Sequence, residues 1–274
     1  AGVSIALENK GFRFLGGTQA ETEEARTMDP SKTIRVYVGS SAGSLVATYL
    51  AQGGKIKDIL QGFINDSATN GVPGLQYWEM LFPRMRTKME LFSWDNFLLN
   101  MLRNKTIQSP FSTHGIAQYL KTHVIKTDRF SDLEADLFVV STEVNQSKKV
   151  IFGKYKSLPV ESYLEYRNDV SISDACAASM ALPPVYHPYS LQIDGVRKDF
   201  FDGEIREPLS SHIARDLGCD LIICSYTHQP VRMPPNKGSL SDKGIHQVTL
   251  QAIYQAIEQK IQQSRGYRQK EKAL

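Results

Sequence analysis

Apolar positions along this chain follow two rhythms, short alternating runs and longer stretches at helical spacing, separated by polar or glycine-containing turns. Val3-Ser4-Ile5-Ala6-Leu7 alternates and predicts a first buried strand, closed by the polar turn Glu8-Asn9-Lys10-Gly11. Phe12 to about Thr27 predicts a helix, its first turns weakened by Gly16 and Gly17. After the loop Asp29-Pro30-Ser31, Thr33-Ile34-Arg35-Val36-Tyr37-Val38 predicts a strand, being β-branched and aromatic without a breaker. Ser44 to Ala51 then predicts a helix, closed by Gly53-Gly54 as a left-handed cap. Lys55 to about Phe63 continues as an amphipathic helix. Further on, the pattern predicts helices over Thr113–Val124, Ser173–Met180, Pro208–Leu217 and about Ile245–Arg265. It predicts strands over Asp136–Val144, Lys149–Phe152, Lys198–Phe201 and Asp220–Ser225, with an Asp194-Gly195 hairpin turn. No internal repeat and no low-complexity tract interrupts this order.

Composition changes the picture little. With 41% hydrophobic and 22% charged residues the chain has the makeup of an ordinary globular protein, and its 274 residues suit one large α/β domain. A net charge of +3 gives no case for a nucleic-acid partner. The three cysteines (Cys176, Cys219, Cys224) lack metal-ligand spacing and read as buried free thiols of a reducing compartment. No apolar run reaches the roughly 18 residues of a membrane span, and no signal peptide is expected, so the expected location is cytoplasmic or peripheral to a membrane. Residues 72 to 110 stand apart: Trp78, Trp94, Phe82, Phe92 and Phe97 alternate with Met80, Met85, Met89 and Met101, and with Arg84, Arg86 and Lys88. Two readings stay open. The segment is either a lid meeting acyl chains and anionic head groups, or a helical insertion packing on the core.

The chemistry concentrates at Gly39-Ser40-Ser41-Ala42-Gly43. A strand before it and a helix after it make Gly-x-Ser-x-Gly a nucleophile elbow, in which a strained turn lifts the Ser41 hydroxyl out of the sheet. Gly39 and Gly43 are the motif glycines expected to let neighbouring backbones pass, and the Ala42 amide, at the helix N-terminus, can face an oxyanion. Only about 38 residues precede the elbow, too few for the several strands that an α/β-hydrolase sheet places before its nucleophile. The histidines sit on predicted helices or beside prolines; His228, after a strand, is the least unsuitable member of a Ser-His-Asp triad. Asp202-Gly203, after an apolar strand, offers a carboxylate as base in a two-residue site instead. A carboxylate of ordinary pKa near about 4 is a weak base for serine, so such a site depends on close positioning and oxyanion stabilisation.

These residues resemble the patatin-like phospholipases, lipid acyl hydrolases with a Ser-Asp dyad. The resemblance is carried by Val38 to Ala47 as the nucleophile block and by Ser173 to Pro188, with Ser-Asp-Ala, Ala-Ser and Pro in order. Phe201-Asp202-Gly203-Glu204 stands at the Asp-Gly-Gly or Asp-Gly-Ala position, and Leu217 to Ile223 is similar to the strand that follows. Two departures stand out. Glu204 replaces a small residue, and Ala6-Leu7-Glu8 stands where the family's oxyanion loop has a glycine triplet, although Lys10-Gly11 and Gly16 keep its second half.

The expected fold is one three-layer α/β/α sandwich over residues 1–274, with a central, mostly parallel sheet and a helical cap over about 66–130. The resemblance implies hydrolysis of ester bonds in phospholipids or related acyl lipids, with Ser41 as nucleophile and Asp202, next to Gly203, as base. Lys10, Gly11 and Ala42 would hold the oxyanion. It implies no metal and no organic cofactor, transient contact with a membrane surface, and leaves a protein activator open. The altered glycine loop motivates an alternative, a catalytically impaired patatin-fold module that binds lipid or a protein. A Ser-His-Asp esterase for small esters is the third reading.

Overall fold

The computed structural model describes residues 2–18, 29–56, 58, 111–155, 163–226, 229–234 and 236–271. The second half of the expected Lys55–Phe63 helix, the aromatic and methionine-rich part of the expected cap (66–110) and His228 lie outside the described residues.

The frame is a six-stranded sheet built around one long strand, β4 (Asp136–Glu143). The other members are β3 (Val36–Ser40), β5 (Lys149–Phe152), β6 (Leu164–Arg167), β7 (Tyr189–Ile193) and β8 (Val196–Asp202). A separate two-stranded pair joins β1 (Arg13–Phe14) to β2 (Thr33–Ile34). β3 runs parallel to β4 and β6 parallel to β5, whereas β5 and β8 are both antiparallel to β4, and β7 is antiparallel to β8. The sheet is therefore mixed where a mostly parallel one was expected. The reason is local: Asn145-Gln146-Ser147 and Asp194-Gly195 are tight turns, and tight turns return the chain antiparallel. Asp194 and Gly195, at φ 53° and 75°, form the anticipated left-handed hairpin turn.

β4 is buried on both faces. Leu137 and Val139 point into a core shared with Tyr37, Val150 and Phe152. Packed there are α2 (Ala42–Ala51), α3 (His114–His123) and α4 (Ile172–Ser179), through Ala47, Leu50, Ile116, Leu120, Ala175 and Cys176. Phe138 and Val140 point the other way, onto Ile151, Leu164, Tyr166 and Ile213 of α5 (His212–Asp216). Helices on both faces of one sheet give the α/β/α arrangement, and β4 reads as a continuous apolar run for that reason. α3, placed in the expected cap, is instead part of the body, since Ile116 and Leu120 are fully buried.

Several expectations are corrected. Val3–Leu7 is not a strand: Gly2–Asn9 forms a helix, α1, with no buried residue, because a helix satisfies its own backbone without needing a neighbouring strand. Arg13–Phe14 is extended rather than helical, held by pairing with β2. β6, Leu164–Arg167, was not anticipated; its two outward polar residues, Glu165 and Arg167, interrupt the apolar signal. α5 starts at His212 and not at Pro208, since Leu209 and Ser210 adopt positive φ. Leu221 to Ser225 is no buried strand, as Leu221 and Ile223 are 62% and 45% exposed and have no ladder partner among the described residues. Of the thiols only Cys176 is buried, against Thr48; Cys224 is exposed. The C-terminal helix α6 spans Ile245–Glu271, burying Ile257 and Ile261 as its spacing predicts.

Candidate active site

The site follows from strand register. Along one edge of β4, Ser40 of β3 stands opposite Val140, and Asp202 of β8 stands opposite Ser141. β3 runs with β4 and β8 runs against it, so two strands distant in sequence end head to head at consecutive β4 positions. The residue after β3 is Ser41; the last residue of β8 is Asp202. Gly203 is fitted into this junction, since a Cβ on it would lie 2.4 Å from the Val140 carbonyl oxygen and 2.7 Å from the Ser40 Oγ.

Ser41 caps α2 in a conformation that L residues rarely adopt, φ 52° and ψ −135°. The turn is held from three sides. The Ser41 N–H donates to Ser179 Oγ at 2.9 Å, and Ser179 Oγ donates to the Val140 carbonyl at 2.6 Å. The Ser44 hydroxyl donates to the Ser41 carbonyl at 2.6 Å. Gly39 is required beneath the turn, because a Cβ there would meet Ser44 Cα at 2.6 Å and Ala47 Cβ at 2.9 Å. Gly43 differs from the expectation: a Cβ on it would meet nothing within 4 Å, so close backbone passage is a property of Gly39 alone. Ala42 and Gly43 are exposed, and Ala42 opens α2, so its N–H has no acceptor within the helix.

The Asp202 carboxyl is fully buried. Oδ1 accepts the Glu204 N–H at 2.9 Å, while Oδ2 has no hydrogen-bond partner among the described residues. Burial pushes the carboxyl up to about 6, and the adjoining Ser41 side chain is the largest influence drawing it down. Ser41 and Asp202 adjoin at the meeting strand ends, and no hydrogen bond is formed to Oδ2 among the described residues. The weak-base objection to a Ser-Asp pair is reduced accordingly, since desolvation brings this carboxylate closer to working pH.

Lys10 and Gly11 are not brought into the site as oxyanion donors. Their amides close α1, Lys10 N–H donating to the Leu7 carbonyl at 3.0 Å and Gly11 N–H to the Glu8 carbonyl at 2.9 Å. Three histidines engage other groups: His114 Nδ1 contacts Ser112 Oγ, His187 Nδ1 contacts the Pro188 carbonyl, and His212 Nδ1 lies 3.1 Å from Glu207.

A model of the patatin-like phospholipase family matches residues 10–214, more than half of the chain. The chain belongs to the patatin-like phospholipase family. A comparison with curated proteins returns no match. At the level of the family, a patatin-like phospholipase is a lipid hydrolase, and the matched span contains both Ser41 and Asp202. No helix among the described residues of this patatin-like chain is long and apolar enough to cross a membrane.

Two features of the site were not singled out from the sequence. One is Ser179, whose hydroxyl ties the nucleophile's amide to β4; the last serine of a small-residue helix before Pro183-Pro184 was the available signal. The other is a polar cluster behind Asp202, where fully buried Lys149 pairs with Glu207 at 2.8 Å. Beside it lies a cavity of about 540 Å³ lined by Thr142, Tyr163, Phe201, Arg206 and Lys260 among others, and not by Ser41 or Asp202.

Proposed function

We propose that this patatin-like protein hydrolyses ester bonds of membrane phospholipids or related acyl lipids through a Ser41–Asp202 dyad. The observation that carries the reading is the head-to-head meeting of β3 and β8 on β4, which sets the strained Ser41 against a desolvated Asp202 carboxyl. Ser41 Oγ attacks the ester carbonyl carbon, its proton passes to Asp202, and the carbonyl electron pair moves to oxygen. The Ala42 N–H, at the N-terminus of α2, stabilises that oxyanion. As the tetrahedral intermediate collapses, the C–O bond to the alcohol breaks and Asp202 returns the proton to the leaving oxygen. Water, deprotonated by Asp202, then attacks the acyl-Ser41 ester; the acyl C–Oγ bond breaks, Asp202 returns the proton to Ser41 Oγ, and the fatty acid is released. In this reading the substrate resides in a bilayer, and the protein touches the membrane surface transiently.

Release of fatty acid from mixed phospholipid vesicles tests the reading. Ser41→Ala and Asp202→Asn should each abolish it. Unchanged release by either variant overturns the dyad.

A further inference from the structure

Asp202 does not sit alone. The residue after its glycine, Glu204, is 9% exposed and lies in the turn Gly203–Ile205 that follows β8. Its N–H grips Asp202 Oδ1, so the backbone of one carboxylic residue fixes the carboxyl of the other. Two buried carboxyls at a junction this tight are unusual, because a second ionised group in a dry site is disfavoured. Ser40, directly before the nucleophile, is the side chain nearest to relieving Glu204, and its own Oγ has no partner among the described residues. Lys149, the cation that bears on Glu204, is paired with Glu207 at 2.8 Å, and Glu204 carries no ion pair among the described residues.

We propose that Glu204 is a positioning residue for Asp202: its backbone N–H holds the Asp202 carboxyl, and its own buried carboxyl, once ionised, strengthens Asp202 as the base that takes the Ser41 proton. The inference rests on the Ser41–Asp202 reading. The charged and titratable groups facing this pair are Lys149 of β5, Arg206 and Glu207 beyond the turn, His212 of α5, and Tyr254 and Lys260 of α6. Lys149 draws the Glu204 carboxyl down; Arg206, Glu207, His212 and Lys260 bear on Lys149 and on one another. Burial and the Asp202 charge together prevail, pushing Glu204 up to about 7, while the Glu204 N–H stabilises the ionised Asp202 carboxyl. Protons leave such a pair in two coupled steps. The first frees Asp202 to act as base. The second adds a negative charge beside it and raises its affinity for the serine proton, without altering the atoms exchanged in the reaction.

Two measurements on the full chain decide the matter. In an infrared titration, wild type should lose its protonated carboxyl signal in two steps, and Glu204→Gln should retain only the lower one. In the pH profile of kcat/KM for fatty-acid release from vesicles, wild type should rise twice, and Glu204→Gln should lose the upper rise while Glu204→Asp keeps it. Superimposed titrations of wild type and Glu204→Gln overturn the coupling of the two carboxyls, whatever the activity. Superimposed rate profiles, with Ser41→Ala inactive, overturn the role of Glu204 and leave the dyad standing. Activity retained by Ser41→Ala brings down both.

Discussion

The two glycines of the Gly-x-Ser-x-Gly turn are equivalent in sequence and unequal in space, and this gives a sharp prediction. Gly39→Ala puts a methyl group 2.6 Å from Ser44 Cα, 2.8 Å from the Gly43 carbonyl oxygen and 2.9 Å from Ala47 Cβ. Two of the three obstacles are backbone atoms, which cannot rotate aside, so β3 and α2 must separate. Overpacking of this kind costs about 1–3 kcal/mol. Gly43→Ala places its methyl in open space, at a helical position where φ is negative. Removing glycine from such a position stabilises by about 0.4–1 kcal/mol, chiefly by restricting the unfolded chain. The pair is therefore expected to differ by about 1.4–4 kcal/mol in urea unfolding. In thermal unfolding the two variants should move in opposite directions, by roughly 2–4 °C per kcal/mol. Equal destabilisation of both would refute the placement of α2 against β3.

Ser179→Ala leaves the buried Ser41 N–H and Val140 carbonyl each without its partner, at about 1–3 kcal/mol per group. It should also lower hydrolysis by releasing the Ser41 turn, which thermal unfolding and vesicle assays measure together. Glu207→Ala strands the fully buried Lys149 ammonium and should destabilise by about 3–5 kcal/mol. Lys149→Met leaves Glu207, 43% exposed, in water and should cost far less; equal losses in urea titrations would contradict this asymmetry. Burial raises Asp202 to about 6 and Glu204 to about 7, so the native state favours their protonated forms. Their contribution is complete below the unfolded carboxyl values and is lost as pH climbs through 6 and 7, by roughly 3 kcal/mol for Asp202. Urea midpoints should therefore fall over that window, and Asp202→Asn should flatten the fall.

Where the sequence was informative, local chemistry and tertiary context agreed. The elbow could be read because strand, glycine turn and helix are all local signals, and because β4 and β5 are apolar on both faces. Asp194-Gly195 announced its own hairpin. The failures share one cause. A strand needs a partner, and neither Val3–Leu7 nor Leu221–Ser225 finds one among the described residues, so alternation and apolar character misled there. Positive φ at Leu209 and Ser210 delayed α5, a conformation with no signature in those residues. Within the site, Ser41 and Asp202 were legible from their turns. Their approach rests on register along β4, and the hold of Ser179 on the nucleophile spans 138 positions of sequence. Glu204 stood out in the sequence only as a departure from a small residue, and burial beside Asp202 is what gives it weight.

The central claim, that Ser41 is a nucleophile activated by Asp202, is tested most directly by labelling with a fluorophosphonate and mapping the adduct by peptide mass spectrometry. The account predicts a single adduct on the peptide bearing Ser41, absent in Ser41→Ala and strongly slowed in Asp202→Asn. An unlabelled wild type, a label on another serine, or full-rate labelling of Asp202→Asn would contradict it.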